Sequence, residues 1–213
     1  AGLGIDQIDA IFITHEHADH VGCAHTVAMR HRIPVFMSRG THVAIGAPDF
    51  DGLLQMAHDM VPIDLGTVCA VPFTVPHDAR EPLQLRCTDG ASHLGLLTDL
   101  GHASPHVLQQ LQGCHALLLE ANHDPDMLAA SGYPAFLKRR IAGVHGHLAN
   151  HDAAGILAAV RHTGLNRVVA AHLSAQNNQP RLAQQALAHS MGWPADAVDI
   201  ASATAGTDWI NVV

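Results

Sequence analysis

Thr14-His15-Glu16-His17-Ala18-Asp19-His20 gathers three imidazoles and two carboxylates into seven residues. A run that polar cannot be core. It follows an apolar run at residues 8–13 that reads as a buried strand, and it precedes residues 21–31, which have helical character. The cluster is therefore predicted on a strand-to-helix loop, where α/β proteins concentrate function. His15 and His17 can converge on one ion while Asp19 and His20 reach past it. Neutral imidazole nitrogen together with carboxylate oxygen suits zinc, manganese or iron. The alternative is a solvated loop that is His-rich only because the chain is, with 19 His in 213 residues.

Four more polar residues close apolar strands. His77 follows Val71-Pro72-Phe73-Thr74-Val75-Pro76, and Asp99 follows Leu94-Gly95-Leu96-Leu97-Thr98. Glu120 follows Leu117-Leu118-Leu119, and His172 follows Val168-Val169-Ala170-Ala171. One such residue alone is a strand end meeting solvent; the repetition points to a shared sheet edge, where ligands collect. The elements that must position them alternate along the chain. Strands are predicted at 8–13, 33–38, 68–75, 83–88, 94–98, 116–120, 166–171, 198–201 and 209–213. Helices are predicted at 21–31, 104–112, 134–141, 152–162 and 180–191, with a helical turn at 41–46. Ser104 can cap the second of these, with Pro105 at its first position. Residues 49–60 stay open between a loop and a poor helix. No linker, low-complexity tract or repeat interrupts this order, so a single domain over 1–213 is expected. The alternation with several hairpins suggests α/β (α+β) architecture, two mixed sheets with helices outside, rather than one doubly wound sheet.

Composition narrows the class. The apolar fraction of 48% is ample for a core, and with only 4% aromatics that core should be aliphatic. The apolar runs are far too short to span a bilayer, so no membrane partner is expected, and no signal-peptide pattern is visible. Cys23, Cys69, Cys87 and Cys114 are widely spaced, without a Cys-x-x-Cys pair. They read as free thiols in a reducing cytoplasm, against a disulfide or an accessory metal site. The net charge of −8 argues against a broad basic nucleic-acid footprint. A cationic pit in an acidic body can still attract one phosphate, so cleavage at a nucleic-acid end stays open. Lys138-Arg139-Arg140 is the only compact basic cluster. A solvated helix face is its default reading and a phosphate-backbone contact the alternative.

His15-x-His17-x-Asp19-His20 resembles the signature of the metallo-β-lactamase-fold hydrolases, and the likeness can be followed to the C-terminus. It implies a four-layer αβ/βα sandwich with the active site on one edge. It also implies further strands ahead of Ala1, including a Gly/Ser-rich turn. On this resemblance His77 is the third imidazole of a first metal, Asp99 bridges two metals, and His172 is the last ligand of the second. The implied sets are His15, His17, His77 and Asp99 around one ion, and Asp19, His20, Asp99 and His172 around the other. Two divalent ions are expected, with zinc favoured by the His-dominated sets and manganese or iron left open by the carboxylates.

Two further motifs narrow the branch. Leu117-Leu118-Leu119-Glu120-Ala121-Asn122 resembles a strand of the tRNA 3′-end endonucleases, and Gly146-His147-Leu148-Ala149-Asn150 falls where those enzymes carry a His paired to that Glu. Val75-Pro76-His77-Asp78-Ala79 with Pro82, the segment from Tyr133-Pro134 to Arg139-Arg140-Ile141, and His172-Leu173-Ser174 with Asn177-Asn178 are similar to the bacterial YycJ/WalJ-type exonucleases. Ala149 departs from the Ser expected there. That branch is related to cyclic-phosphate phosphodiesterases. The resemblance thus implies a two-metal phosphodiesterase, a nuclease acting at DNA or RNA ends. Asp19 would orient the attacking hydroxide, and His147, held by Glu120, would assist the leaving oxygen. Against this stand a small cyclic phosphodiesterase, a thioesterase or lactonase, and a non-enzymatic metal-loaded module; His147 could also simply cap the helix near Asp152.

Overall fold

The computed structural model describes residues 2–212. A three-stranded parallel sheet is built from β1 (Ile11–Phe12), β2 (Val35–Met37) and β3 (Leu54–Met56), in that order. The second sheet holds β4 (Ile63–Asp64), β5 (Cys69–Thr74), β6 (Leu83–Thr88), β7 (His93–Leu97), β8 (Ala116–Glu120), β9 (Arg167–Ala171) and β10 (Asp199–Ile200). Its seven strands lie in the order β10-β9-β8-β7-β6-β5-β4. Pairing is antiparallel from β4 to β7 and parallel from β7 to β10. Consequently β5, β7, β8 and β9 run the same way, and their C-terminal ends share one edge.

Eight helices are described: α1 (Ala18–Val21), α2 (Ala24–His31), α3 (Arg39–Ala44), α4 (Pro105–Leu111), α5 (Pro125–Ala130), α6 (Ala135–Ile141), α7 (Asn150–Val160) and α8 (Pro180–Met191). The main core lies where Leu117, Leu119, Val168 and Ala170 of the central strands meet Val107 and Leu111 of α4, Ile156 and Leu157 of α7, and Leu187 of α8. Parallel central strands are buried on both faces, which is why β8 and β9 read as unbroken apolar runs rather than alternating ones. A second core joins Ala28 of α2 to Ile13, Val35, Met37 and Phe50. Phe36, Ala57 and Leu83, with Phe12 and Ile63 against them, form a third cluster that ties one sheet to the other. Two sheets with helices packed outside them give the expected metallo-β-lactamase fold. No helix is long and apolar enough to cross a membrane.

Several expectations change. The strand expected at 8–13 is paired only over Ile11–Phe12, because a 3-10 turn at Ile5–Gln7 ends at Ile8. The helix expected at 21–31 is two helices, broken at Gly22, whose φ of 44° and ψ of −126° few other residues adopt. The open segment 49–60 contains β3, entered through left-handed Asp51 and Gly52. Residues 209–212 form no strand, and Trp209 is 76% exposed; position 213 lies outside the described residues. The Asp124-Pro125 start of α5 carried a cap signal that went unread: Asp124 Oδ1 accepts from the Met127 amide at 2.9 Å.

Candidate metal centre

The common edge carries the predicted residues at successive strand ends. His77 follows β5, Asp99 follows β7, Glu120 ends β8 and His172 follows β9. The loop after β1, from the other sheet, brings His15, His17, Asp19 and His20 to the same place. One backbone bond and one to a side chain hold the two halves in register: the Leu83 amide donates to Thr14 O (2.9 Å), and the Arg80 amide to the Glu16 carboxylate Oε1 (2.8 Å). Asp99 and His172 both adopt left-handed backbone with φ of 55°. Asp and His tolerate this region better than most residues, and paired occurrences at a sheet edge mark a site where geometry outranks local comfort.

Three imidazoles meet on one side. His15 Nε2 lies 3.0 Å from His17 Nδ1, and His77 Nε2 lies 3.3 Å from that same nitrogen. His77 Nδ1 donates to the Gly146 carbonyl at 3.1 Å, which leaves its Nε2 as a lone pair turned on His17. His15 and His77 are buried, and burial, reinforced by neighbouring imidazoles, lowers both pKa values, that of His15 to about 3. Both therefore stand neutral, the form that ligates.

Carboxylates dominate the other side. Asp99 is 2% exposed. Burial alone would raise its pKa, but His20 and His172 hold it well below the usual carboxylate range. Its Oδ2 is 3.2 Å from His20 Nε2 yet buried without a well-formed hydrogen bond, and its Oδ1 is 3.4 Å from His172 Nδ1. Exposed Asp19 stands 3.6 Å from His20 Nε2 and 3.9 Å from His172 Nε2. Thr14 Oγ1 sits 3.0 Å from His15 Nδ1 and 3.1 Å from His20 Nδ1, fixing both rings, a role unread in the sequence.

Glu120, fully buried, does more than expected. Its Oε1 accepts from His147 Nδ1 at 2.9 Å and from His172 Nδ1 at 2.7 Å, while Oε2 faces the amides of Leu100 (3.3 Å) and Leu148 (3.1 Å). Burial pulls both imidazoles toward the neutral form, but the Glu120 carboxylate outweighs it; the His147 pKa lies above its ordinary value and that of His172 is pushed up to about 9. The expected Glu120–His147 pair is thus present, and the second partner, His172, is a finding. With Nδ1 of each ring taken by Glu120, Nε2 of each is left for other partners.

The donor set fits two divalent cations. His15, His17 and His77 form one group whose ligand atoms lie within 4.8 Å of one another; Asp19, His20 and His172 form another, and His15, His20 and Asp99 a third that spans the two. Lone pairs turned on one another, a buried carboxylate oxygen without a well-formed bond, and a field that stabilises a proton on His172 all favour positive charge here. A carboxylate behind a ligating His is also the usual support of such centres.

Over the cluster lies a cavity of about 510 Å³, lined among others by Asp78, Asn122, Tyr133, Arg140 and Ser174. Asp78 accepts from Arg140 Nε at 2.6 Å, and Asn122 Nδ2 donates to the His172 carbonyl at 2.9 Å. Arg140 belongs to the basic cluster read from the sequence, and its placement at the site could have been guessed only from its partner, next to His77. His123 is buried rather than facing this cavity.

A family model, the Beta-lactamase superfamily domain, matches residues 2–173. The chain belongs to this superfamily. It is 32% identical over 192 residues to the exodeoxyribonuclease YycJ of Bacillus anthracis, covering 88% of this chain and 72% of that protein. To the exodeoxyribonuclease WalJ of Streptococcus pneumoniae it is 28% identical over 191 residues, covering 87% and 71%. Among solved structures, the metallo-β-lactamase fold protein YhfI from Bacillus subtilis superposes with a TM-score of 0.72 at 14% identity, covering 94% of this chain and 78% of that one. As a superfamily member with this assembled cluster and these relatives, the chain is a metal-dependent hydrolase.

Proposed function

We propose that this superfamily member is a two-metal phosphodiesterase, an exonuclease acting at DNA ends. The observation that carries the reading is the Glu120–His147 pair, 2.9 Å apart, beside Asp99 at the floor of the cavity. A thioester leaves as a thiolate that needs no such proton source, whereas a phosphodiester leaving as an alkoxide does. The exodeoxyribonuclease relatives support the same substrate class.

His15, His17, His77 and Asp99 would hold one cation, and Asp19, His20, His172 and Asp99 the other, with zinc favoured by five imidazoles against two carboxylates. When bound, the pair supplies an ionised water at neutral pH and neutralises charge on the phosphate. The rest is the chain's own work. Asp19, at the exposed mouth, orients the attacking oxygen. Glu120 fixes the His147 ring and keeps it protonated. His147 then gives its Nε2 proton to the departing ester oxygen. The cavity wall of Tyr133, Leu137 and Ile141 excludes water from the far side of the substrate. The four free cysteines suit a reducing, cytoplasmic setting.

A small cyclic phosphodiester is the second reading, favoured by a cavity in the range of small-ligand sites, about 300–1,000 Å³. Assaying the zinc-loaded protein on end-labelled DNA, end-labelled RNA, a cyclic phosphodiester and a thioester tests both. Release of mononucleotides from DNA is the expected result. Hydrolysis of the cyclic ester with intact DNA supports the second reading, and turnover confined to the thioester overturns both.

A further inference from the structure

Helix α6 stands at the rim of the cavity. Leu137, Arg140 and Ile141, spaced three and four residues apart on one face of the helix, line the cavity together with Tyr133 from the segment just ahead of it. Tyr133 is the only tyrosine of the chain, and three of its 11 lysines and arginines are the consecutive Lys138, Arg139 and Arg140. Elsewhere the molecule is acidic, with a net charge of −8.

Phe136 is the unexplained residue. It is 66% exposed in a chain with only five phenylalanines, of which Phe36, Phe50 and Phe73 are buried. It does not line the cavity. It lies four residues before Arg140, so on the helix surface the two are neighbours, and Tyr133 stands just ahead of the helix, before the Pro134 cap. Arg140 is fixed there by its Nε bond to Asp78, a bond that leaves its two terminal nitrogens unused. Lys138 Nζ donates to the Ala129 carbonyl at 2.6 Å, anchoring the helix to α5. The surface leading out of the cavity therefore runs from Tyr133 and Arg140 to Phe136 and then to exposed Arg139. Alternating aromatic planes and cations along a path of this length is what a single strand of nucleic acid requires, since every base offers a π-face and every step a phosphate.

We propose that α6 is the strand-binding wall of the enzyme. Tyr133 packs on the terminal base inside the cavity, Phe136 stacks the next base outside it, and Arg140 and Arg139 hold the intervening phosphates of a single DNA strand. This rests on the exonuclease reading above and names how its substrate is held.

The test is steady-state kinetics of the zinc-loaded full chain on two substrates, an end-labelled single-stranded DNA oligonucleotide and bis-p-nitrophenyl phosphate, which is too small to reach Phe136. Phe136→Ala should raise KM for DNA about 10-fold, the lower part of what one stacked base is worth, with kcat nearly unchanged and the small ester turned over normally. Phe136→Trp should restore the KM. Arg139→Ala should weaken DNA binding and flatten its salt dependence by about 0.7 in the log–log slope, one phosphate contact on a single strand. An unchanged KM for DNA in Phe136→Ala overturns the proposal, as does equal slowing on both substrates, and so does a defect confined to an RNA oligonucleotide of the same sequence. Failure of the exonuclease reading looks different: the unaltered holoenzyme would then hydrolyse the small ester and leave DNA intact.

Discussion

Glu120 is the residue on which the proposed chemistry turns, because one carboxylate oxygen serves two rings with different tasks. Toward His147 it keeps a proton in place; toward His172 it orients a proposed metal ligand. The two tasks separate by mutation. His147→Ala should leave metal content intact and reduce turnover of a phosphodiester by roughly 10²–10⁴-fold, the worth of a positioned acid. The loss should be much smaller on an ester whose leaving group is nitrophenolate and needs no proton. Glu120→Gln should act more broadly, lowering turnover on both esters and weakening the second metal by about 10–100-fold, since a supporting carboxylate is lost from a ligating His. Metal titration beside kinetics checks both. An Ala variant at 147 that slows the two esters equally would make His147 a positioning residue rather than a proton donor. The nine candidate residues that meet at this edge were each legible in the sequence, eight from one dense motif and the strand ends and His147 from the family resemblance. The sharing of Glu120 was not, because it depends on β8 lying between β7 and β9, an order that no local pattern encodes.

At the scale of elements, the edge is held by close backbone packing as much as by hydrogen bonds. A Cβ at Gly146 would press on the carbonyls of Arg140 and Ile141, and one at Gly101 on the backbone of Gly143 and Val144. These glycines let the loop after α6 close against the loop after β7. Gly146 O receives His77 Nδ1, and Ile141 O receives the His147 amide, so the same crowding supports one proposed ligand and the proposed acid. Gly146→Ala should therefore cost about 1–3 kcal/mol, the usual effect of overpacking, and lower activity on every substrate together. Gly155→Ala on α7, where a Cβ meets nothing within 4 Å, should be neutral or slightly stabilising. Thermal melts of the two variants make the comparison. Sequence reading found β6, β8 and α8 at their observed bounds, because β6 precedes an Asp-Gly turn, β8 is an apolar run closed by a carboxylate, and α8 lies between Pro180 and Gly192. It missed β3 and divided α1–α2 wrongly, since β3 is three residues long and the break depends on one glycine's ψ.

On the scale of the whole molecule, the proposed ligands come from both sheets. His15, His17, Asp19 and His20 belong to the loop after β1, whereas His77, Asp99 and His172 close strands of the larger sheet. Apolar contact between the sheets runs through the small cluster around Phe36, Ala57 and Leu83, far less extensive than the main core. Cations shared by the two ligand groups would then act as a cross-link between halves that are otherwise modestly joined. Since binding to the folded state alone stabilises by about 2.7 kcal/mol at a hundredfold excess over Kd, each zinc should raise the melting temperature of the metal-free protein by roughly 5–10 °C for a chain of this size. Asp99→Ala should abolish most of that increment, because the shared carboxylate belongs to both groups, and His147→Ala should keep it. Leu83→Ala should destabilise the metal-free form by about 2–5 kcal/mol, the cost of a lost core leucine, and lower its melting temperature accordingly. Its deficit should shrink when zinc is added, as the cross-link takes over part of the work of the cluster. A zinc increment as large in Asp99→Ala as in the unaltered protein would mean that the cations do not bridge the sheets, and that the cluster around Leu83 carries their union alone.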